Sequence, residues 1–217
     1  MLNTIIYWSL WSLFRGLAHV CFRYKLTGQS HIPREGGLLI AANHASFLDI
    51  PLLGCGIPRR VAFLGRRDLF PIPVLNSILQ KLGWIPIRQD RLDRRGFQRA
   101  RRLLEMGQTV VIFPEGSRTQ TGRLGAGRPG LATLVAATGC RILPAYIAGT
   151  FEALPMGARW IRFHPVKVAF GQPIDFLQVR NQYGKKAFYT HVTHTVMCRI
   201  AELEELASDT ELCDERI

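Results

Sequence analysis

Two kinds of hydrophobic pattern alternate along the chain. Short apolar runs that end at glycine, proline or charged residues predict buried strands, whereas apolar residues that recur every three or four positions predict amphipathic helices. Strands are expected at 24–28, 38–42, 61–64, 84–87, 110–113, 142–148 and 162–170, and helices after Asp49 and at 71–82, 91–106, 131–138 and 184–206. Because strands alternate with helices, we predict an α/β fold, a single layered domain with a largely parallel mixed sheet flanked by helices.

The domain organisation follows from the same pattern. With 217 residues, no internal repeat and no interdomain linker in the sequence, one domain is expected over residues 24–206. Residues 207–217 are polar and are expected to form a frayed C-terminal tail.

Residues 1–23 form a separate N-terminal segment. An apolar run from Ile5 to Phe14 contains Trp8 and Trp11, and Arg15 then interrupts it. The uninterrupted run is too short to span a bilayer, and a central arginine would cost about 2.5 kcal/mol or more there. We interpret the segment as an amphipathic helix in the membrane interface, favoured by the two indoles. The alternative is an ordinary helix that covers the core.

Composition narrows the possible partners. The formal net charge of +12 implies an acidic partner, which can be an anionic membrane surface, a nucleic acid or a phosphorylated substrate. The arginine-rich helix expected at 91–106 is either a solvated face or a contact for phosphates or anionic lipid. The sequence has no RNP, KH or zinc-finger signature, so no nucleic acid partner is expected. Five cysteines without a CxxC pair favour reduced thiols and a cytoplasmic location.

Candidate chemistry begins where the strand at 38–42 ends. His44 follows that strand, and Asp49 lies five positions later. On a continuous helix this spacing is a rotation of roughly 140°, so the two side chains can meet only if the chain bends between them. Ala45 and Ser46 suit a bend, and Pro51 suits the first turn of a helix that begins near Asp49. Asp49 could then hold the tautomer of a basic imidazole, or it could simply cap that helix.

Other strands are expected to bring polar groups to the same place, because ligands gather at the carboxyl ends of the strands in an open α/β sheet. The residues that follow these strand ends are Arg66, Arg67, Arg88, Glu115, Gly116 and Arg118. Guanidinium groups match phosphate oxygens bidentately. No serine lies in a G-x-S-x-G turn, which favours direct attack by a substrate hydroxyl.

These motifs resemble those of a known family. Residues 43–49 read NHASFLD and resemble the NHxxxxD motif of the glycerolipid acyltransferases, and residues 113–118 read FPEGSR and are similar to their FPEGxR motif. Residues 65–70 with 85–88 resemble the second block of the family, and residues 142–146 resemble the fourth. All four occur in family order, and the best match is the 1-acylglycerol-3-phosphate (lysophosphatidic acid) acyltransferase type.

The resemblance implies roles for the candidate residues. His44 would take a proton from the free sn-2 hydroxyl of a 1-acylglycerol-3-phosphate, and Asp49 would orient His44. Glu115 and Gly116 would contact the glycerol and Arg118 the phosphate, with Arg66, Arg67 and Arg88 as supporting cations. Backbone N–H groups near the motif would stabilise the oxyanion. The stretch 127–130 carries Arg128 where the family more often has lysine.

The resemblance also implies partners and a location. The acyl donor would be acyl-CoA or acyl-carrier protein, with no metal and no further cofactor, and the product would be phosphatidic acid. The enzyme would sit at the cytoplasmic face of the membrane as a peripheral or monotopic protein. Another lysolipid, such as lyso-ornithine lipid or lysophosphatidylethanolamine, is the alternative acceptor.

Overall fold

A computed structural model describes residues 2–66, 73–87 and 93–214, and within them it contains seven strands and seven α-helices. The strands are β1 (Lys25–Thr27), β2 (Leu38–Ala42), β3 (Val61–Arg66), β4 (Trp84–Ile87), β5 (Thr109–Ile112), β6 (Arg141–Ala148) and β7 (Lys167–Phe170). The helices are α1 (Leu2–Phe22), α2 (Asp49–Gly56), α3 (Pro73–Lys81), α4 (Arg94–Glu105), α5 (Gly130–Thr138), α6 (Thr150–Ala153) and α7 (Lys185–Asp214).

The seven strands form one mixed sheet in the order β1-β7-β6-β2-β5-β3-β4. Five neighbouring strands, from β6 to β4, run parallel, whereas β7 is antiparallel to β6 and β1 is parallel to β7. The predicted fold, a largely parallel mixed sheet flanked by helices, is therefore confirmed. The carboxyl ends of the five parallel strands share one edge of the sheet, which we call the carboxyl edge.

Helices cover both faces of the sheet. Alternate residues of β2 point to opposite sides, so Ile40 packs in a cluster with α1 and α2, whereas Leu39 packs in a cluster with α4, α5 and α7. All five residues of β2 are buried. This explains why the strand reads as an unbroken apolar run rather than as an alternating one.

The strand predicted at 162–170 is shorter in the structure. β7 begins only at Lys167, which pairs with Lys25 in β1 and with Ala148 at the end of β6. Val166 still bonds the backbone of Lys25 and Phe22, but β1 begins and β6 ends at this level of the sheet, so the residues at 159–163 have no partner strand. Residues 159–163 are instead an exposed loop.

Two helix boundaries also differ from the predictions. α4 begins at Arg94 because the side chain of Asp93 caps it by accepting the N–H groups of Arg95 and Gly96. α7 continues to Asp214, so the predicted C-terminal tail at 207–217 lies largely within the helix. The stretch 201–207, which reads AELEELA, is rich in strong helix formers, and the helix continues from it through the more polar residues that follow.

Helix α1 docks one face on the domain. Trp11 donates its indole N–H to the carbonyl oxygens of Gly54 and Ile57, and Arg15 donates to the carbonyl oxygen of Cys55. Ala18 and Phe22 complete this face in the core. Within the described residues, the segment 4–22 is long and apolar enough to cross a membrane by length and composition alone, which the interrupted run in the sequence had not suggested.

Candidate active site

The bend after β2 brings the two predicted catalytic side chains together. His44 Nδ1 lies 2.8 Å from Asp49 Oδ2, and the Asp49 side chain is fully buried. The His44 ring stacks on Phe113 with a centroid distance of 4.0 Å. Because Nδ1 is bonded to the carboxylate and the ring is held by Phe113, Nε2 is the nitrogen left to accept a proton.

Of the two roles that the sequence left open, the side chain of Asp49 has the contact with the imidazole and not the helix cap, since the N-cap residue of α2 is Leu48 and no side chain caps it. The Oδ2 atom of Asp49 also accepts the backbone N–H groups of Ala45 at 2.7 Å and Ser46 at 2.8 Å, and Asp49 begins α2. The hydroxyl of Ser46 accepts the N–H of Leu48, so the two side chains cap the turn reciprocally. One carboxylate oxygen therefore fixes both the bend before α2 and the imidazole.

The loop after β5 holds the backbone of His44 on both sides. The N–H of His44 donates to Glu115 Oε1 at 2.8 Å, and the carbonyl of His44 accepts the N–H of Thr119 at 2.8 Å. Glu115 Oε2 accepts the N–H of Gly125, also at 2.8 Å. Burial raises the pKa of the Glu115 carboxyl, and these two backbone hydrogen bonds partly offset the shift.

Glu115 is consequently a link between three loops. Both of its carboxylate oxygens accept backbone N–H groups. One N–H comes from His44, and the other comes from Gly125 in the glycine-rich loop at 119–130. The residue is buried, with 8% of its surface exposed. Glu115 thus positions the backbone of His44, and its contact with the glycerol stays a prediction.

Two further residues anchor the His44 loop and were not selected from the sequence. Asn43 is buried and its amide exchanges two hydrogen bonds with the backbone of Ile147, which extends the pairing of β2 with β6 by one step. Ser46 donates its hydroxyl to the carbonyl of Leu154 at 2.8 Å. Both contacts join positions more than 100 residues apart, so no local pattern could reveal them.

A cavity of about 610 Å³ opens at the carboxyl edge beside His44. Among the described residues, three arginines line it with His44, namely Arg66, Arg118 and Arg128. The rest of its wall is mainly apolar and includes Phe47, Ile50, Leu64, Trp84, Ile87, Phe97, Ile112, Phe113 and Met156. The cavity thus combines a base, a cationic end and an apolar wall, which suits a phosphorylated substrate that carries an alkyl chain.

The pKa of Arg118 reflects the groups around it in this cavity. Burial lowers the pKa of Arg118, the carboxylate of Asp49 raises it, and the positive charge of Arg66 lowers it. The Arg118 guanidinium stacks over the Phe47 ring at 3.6 Å from its centroid. Both guanidinium groups line the same cavity, where they can bind an anion together.

Arg128 reaches the cavity because residue 116 is glycine. Gly116 has φ +76°, a left-handed conformation, and a Cβ atom there would lie 2.8 Å from Arg128 Nε. The N–H of Arg128 donates to the carbonyl of Pro114, which ties the two loop segments together. The sequence places a cation at residue 128, where the family more often has lysine, but it does not show that this side chain faces the cavity.

The structure therefore brings together His44, Asp49, Glu115, Gly116, Arg118 and Arg66. Arg67 and Arg88, the remaining predicted cations, lie outside the described residues. The predicted backbone donors for an oxyanion are partly engaged elsewhere, because the N–H groups of His44, Ala45 and Ser46 all bond carboxylates.

Comparison with known proteins identifies the class to which this fold and site belong. A profile of the Acyltransferase family matches residues 23–148, more than half of the chain. The chain therefore belongs to the acyltransferase family.

Individual relatives narrow the comparison. Over 160 residues the chain is 32% identical to the chloroplastic 1-acyl-sn-glycerol-3-phosphate acyltransferase of Arabidopsis thaliana, which covers 70% of this chain and 44% of the relative. Over 146 residues it is 31% identical to the lyso-ornithine lipid O-acyltransferase of Pseudomonas aeruginosa, which covers 67% of this chain and 55% of the relative. The chain thus spans about half the length of these relatives.

The fold is shared with a solved structure. The 1-acyl-sn-glycerophosphate acyltransferase of Thermotoga maritima matches with a TM-score of 0.75 over 93% of this chain and 81% of that chain, at 23% sequence identity. This likeness supports the α/β architecture described above.

Proposed function

We propose that this protein transfers an acyl group from acyl-CoA or acyl-carrier protein to the free sn-2 hydroxyl of 1-acylglycerol-3-phosphate, giving phosphatidic acid for phospholipid synthesis. The observation that carries the proposal is that the His44–Asp49 pair opens into the same cavity as Arg66, Arg118 and Arg128. A proton acceptor and a set of phosphate-binding groups then face one substrate.

The proposed reaction needs no nucleophile from the protein. His44 Nε2 takes the proton of the acceptor hydroxyl as its oxygen attacks the thioester carbonyl, and Asp49 stabilises the resulting imidazolium. When the tetrahedral intermediate collapses, the carbon–sulfur bond breaks and the departing thiolate takes the proton from His44. Because the N–H groups of His44, Ala45 and Ser46 are occupied and that of Gly116 donates to the carbonyl of Phe113, we assign the oxyanion to donors of residues 117 and 118.

The roles of the arginines follow from their place in the cavity. We assign the phosphate of the acceptor to Arg118, Arg66 and Arg128, and the alkyl chain to the apolar wall. Arg67 and Arg88 remain proposed supporting cations from the sequence. We propose that the protein works at the cytoplasmic face of the membrane, which is consistent with the free thiols of Cys21, Cys55 and Cys140.

The proposed base is tested by His44→Ala. Turnover of 1-acylglycerol-3-phosphate with an acyl-CoA should fall on the order of 10³-fold or more, because no other described group is placed to take the proton. The matched control is His194→Ala, which changes an exposed histidine of α7. Near wild-type turnover of folded His44→Ala, with folding checked by thermal unfolding, would rule out this base.

The alternative acceptor deserves a direct comparison because one relative is a lyso-ornithine lipid O-acyltransferase. The three arginines favour a phosphate dianion, so 1-acylglycerol-3-phosphate should give the highest kcat/KM. The same assay is run with lyso-ornithine lipid and lysophosphatidylethanolamine. Higher kcat/KM for either of these would transfer the proposal to that acceptor.

A further inference from the structure

One exposed loop has a composition that is unusual for a surface facing water. The segment 155–164, which we call the Trp160 loop, joins α6 to the region before β7. Trp160 is 82% exposed, Phe163 is 76% exposed and Ile161 is also exposed. Two arginines, Arg159 and Arg162, are interleaved with these apolar side chains and are exposed as well.

The Trp160 loop is anchored at both ends beside the active site. Leu154, just before it, accepts the hydroxyl of Ser46 from the His44 loop, and Met156 lines the catalytic cavity. At the other end the ring of Phe163 packs edge-on against Phe22 of α1 with a centroid distance of 6.1 Å. The loop therefore runs from the cavity mouth to the C-terminal end of α1.

The apolar surface continues from the loop onto α1. Leu13, Leu17 and Val20 are spaced by four and three residues and form an exposed stripe on the side of α1 that faces away from α2. The C-terminal end of α1 lies at the carboxyl edge, because Phe22 accepts the N–H of Val166, next to the start of β7. The stripe and the loop thus meet beside the mouth of the cavity.

We propose that the Trp160 loop is a second membrane contact, which inserts Trp160, Ile161 and Phe163 into the interface of an anionic bilayer next to α1. Indole rings favour the headgroup level, and arginines beside them pair with anionic lipid headgroups. The net charge of +12 has the matching sign. Aromatic and arginine side chains also occur together in protein–protein interfaces, so association between copies of this chain is an outcome that the test below distinguishes.

This contact would set the orientation of the enzyme. Phe47 and Met156, at the mouth of the cavity, are partly exposed and lie on the same side as the Trp160 loop. With the loop and α1 both inserted, the mouth faces the bilayer, and a lysolipid can enter the cavity without crossing water. This last step relies on the proposed function, whereas membrane binding by the loop does not.

The test compares vesicle binding of two double variants of the full chain. Trp160→Ala with Phe163→Ala removes the loop aromatics, and the matched control is Met106→Ala with Leu177→Ala. Both control side chains are exposed and lie toward the opposite edge of the sheet, since Met106 precedes β5 and Leu177 packs beside Gly139, which precedes β6. Binding is measured by flotation with vesicles of phosphatidylcholine and phosphatidylglycerol.

The loop variant should bind these vesicles at least about tenfold more weakly than the wild type, because it lacks two large apolar side chains whose transfer from water favours binding. The control variant should bind like the wild type. Arg159→Gln with Arg162→Gln should weaken binding to the mixed vesicles but not to pure phosphatidylcholine. The fluorescence of Trp160, obtained as the difference between the wild type and Trp160→Phe, should shift to shorter wavelength when vesicles are added.

Equal binding by the loop variant and the wild type would overturn the proposal. The proposal would also be overturned if the wild type did not bind vesicles and sedimented as a dimer, while the loop variant sedimented as a monomer. The exposed surface would then serve self-association. Turnover on detergent-solubilised lysophosphatidic acid separates the two proposals. If the wild type shows no turnover in detergent, the proposed function alone is contradicted. If turnover is normal but the loop variant binds vesicles as well as the wild type, only the membrane contact is contradicted.

Discussion

Two carboxylate side chains beside His44, those of Asp49 and Glu115, hydrogen-bond backbone N–H groups of the loops around it. Asp49 binds the imidazole of His44 and also two backbone N–H groups, and Glu115 binds the N–H groups of His44 and Gly125. His44 is therefore held both at its ring and at its backbone. Small changes in either carboxylate should act on catalysis through geometry as well as through charge.

Glu115→Gln tests the positioning role of Glu115. A glutamine side chain has only one acceptor oxygen, so its amide N–H₂ must face the N–H of either His44 or Gly125. We expect a loss of about 1–3 kcal/mol in the free energy of unfolding and a lower kcat with little change in KM. Chemical denaturation and steady-state kinetics measure these, with Glu105→Gln on the exposed face of α4 as the control. A raised KM at unchanged kcat would instead indicate a direct contact with substrate.

Arg128→Gln tests the third cation of the cavity. If Arg128 binds the acceptor phosphate, KM for 1-acylglycerol-3-phosphate should rise roughly tenfold, because a charge-assisted hydrogen bond is lost. KM for a lyso-ornithine lipid, which has no phosphate, should change far less. The control is Arg123→Gln, an exposed arginine of the same loop that does not line the cavity. An equal rise for both acceptors would contradict this assignment.

The residue scale also shows what local sequence can encode. His44, Asp49 and Arg118 were predictable because each follows a recognisable strand and belongs to a motif with defined spacing. The roles of Glu115 and Arg128 were not, because they depend on which loop from elsewhere in the chain lies opposite. Glu115 meets a backbone group 71 positions away, and no pattern within its own motif contains that information.

At the scale of elements, α1 acts as a cover with two distinct faces. Its docked face closes over Cys55, whose thiol is 2% exposed and approaches the carbonyl oxygen of Trp11. Burial raises the pKa of Cys55 to about 11, so little thiolate is present at neutral pH. The reactivity of this thiol is therefore a reporter of whether α1 is docked.

Arg15→Ala should loosen α1. It removes the hydrogen bond to the Cys55 carbonyl and the stacking of the guanidinium on Trp11, at a cost of about 1–2 kcal/mol. Alkylation of Cys55 at neutral pH, followed by peptide mass spectrometry, should become faster. Leu13→Ala, on the exposed face of α1, should leave the rate unchanged. Equal rates in Arg15→Ala and wild type would show that this contact does not hold the helix down.

Element boundaries followed the sequence where packing and local pattern agree. β4 has the predicted bounds, and α5 ends at Gly139, whose φ of +65° matches the expected C-terminal stop. The strand predicted at 162–170 is too long because only its second half alternates, with Val166, Val168 and Phe170 against Lys167 and Ala169, and residues 162–165 have no neighbouring strand. Alternation reports which side chains can share a face, and it does not report where pairing stops.

At the scale of the whole molecule, the excess of positive charge should act on the substrate before it binds. Three arginines line the cavity of a chain with a net charge of +12. The resulting field attracts an anionic acceptor over a distance that salt shortens.

Ionic strength should therefore change KM more than kcat. With lysophosphatidic acid in neutral detergent micelles, KM should rise several-fold as sodium chloride increases from low to physiological concentration, while kcat stays nearly constant. A neutral lysolipid acceptor provides the control, since its KM should vary little. The same salt dependence for both acceptors would point to an effect on the micelles or on the fold.

The hydrogen bonds that tie Glu115 and Thr119 to the backbone of His44 also limit how the substrate preference of such an enzyme can change. If the loop after β5 were replaced by that of a relative, the orientation of His44 would change as well, because this loop carries Glu115 and Thr119, which hydrogen-bond the backbone of His44. Selectivity and rate are thus inherited together. Variants that accept a different lipid should arise more readily through side chains that only line the cavity, such as Arg128, than through exchange of the entire loop.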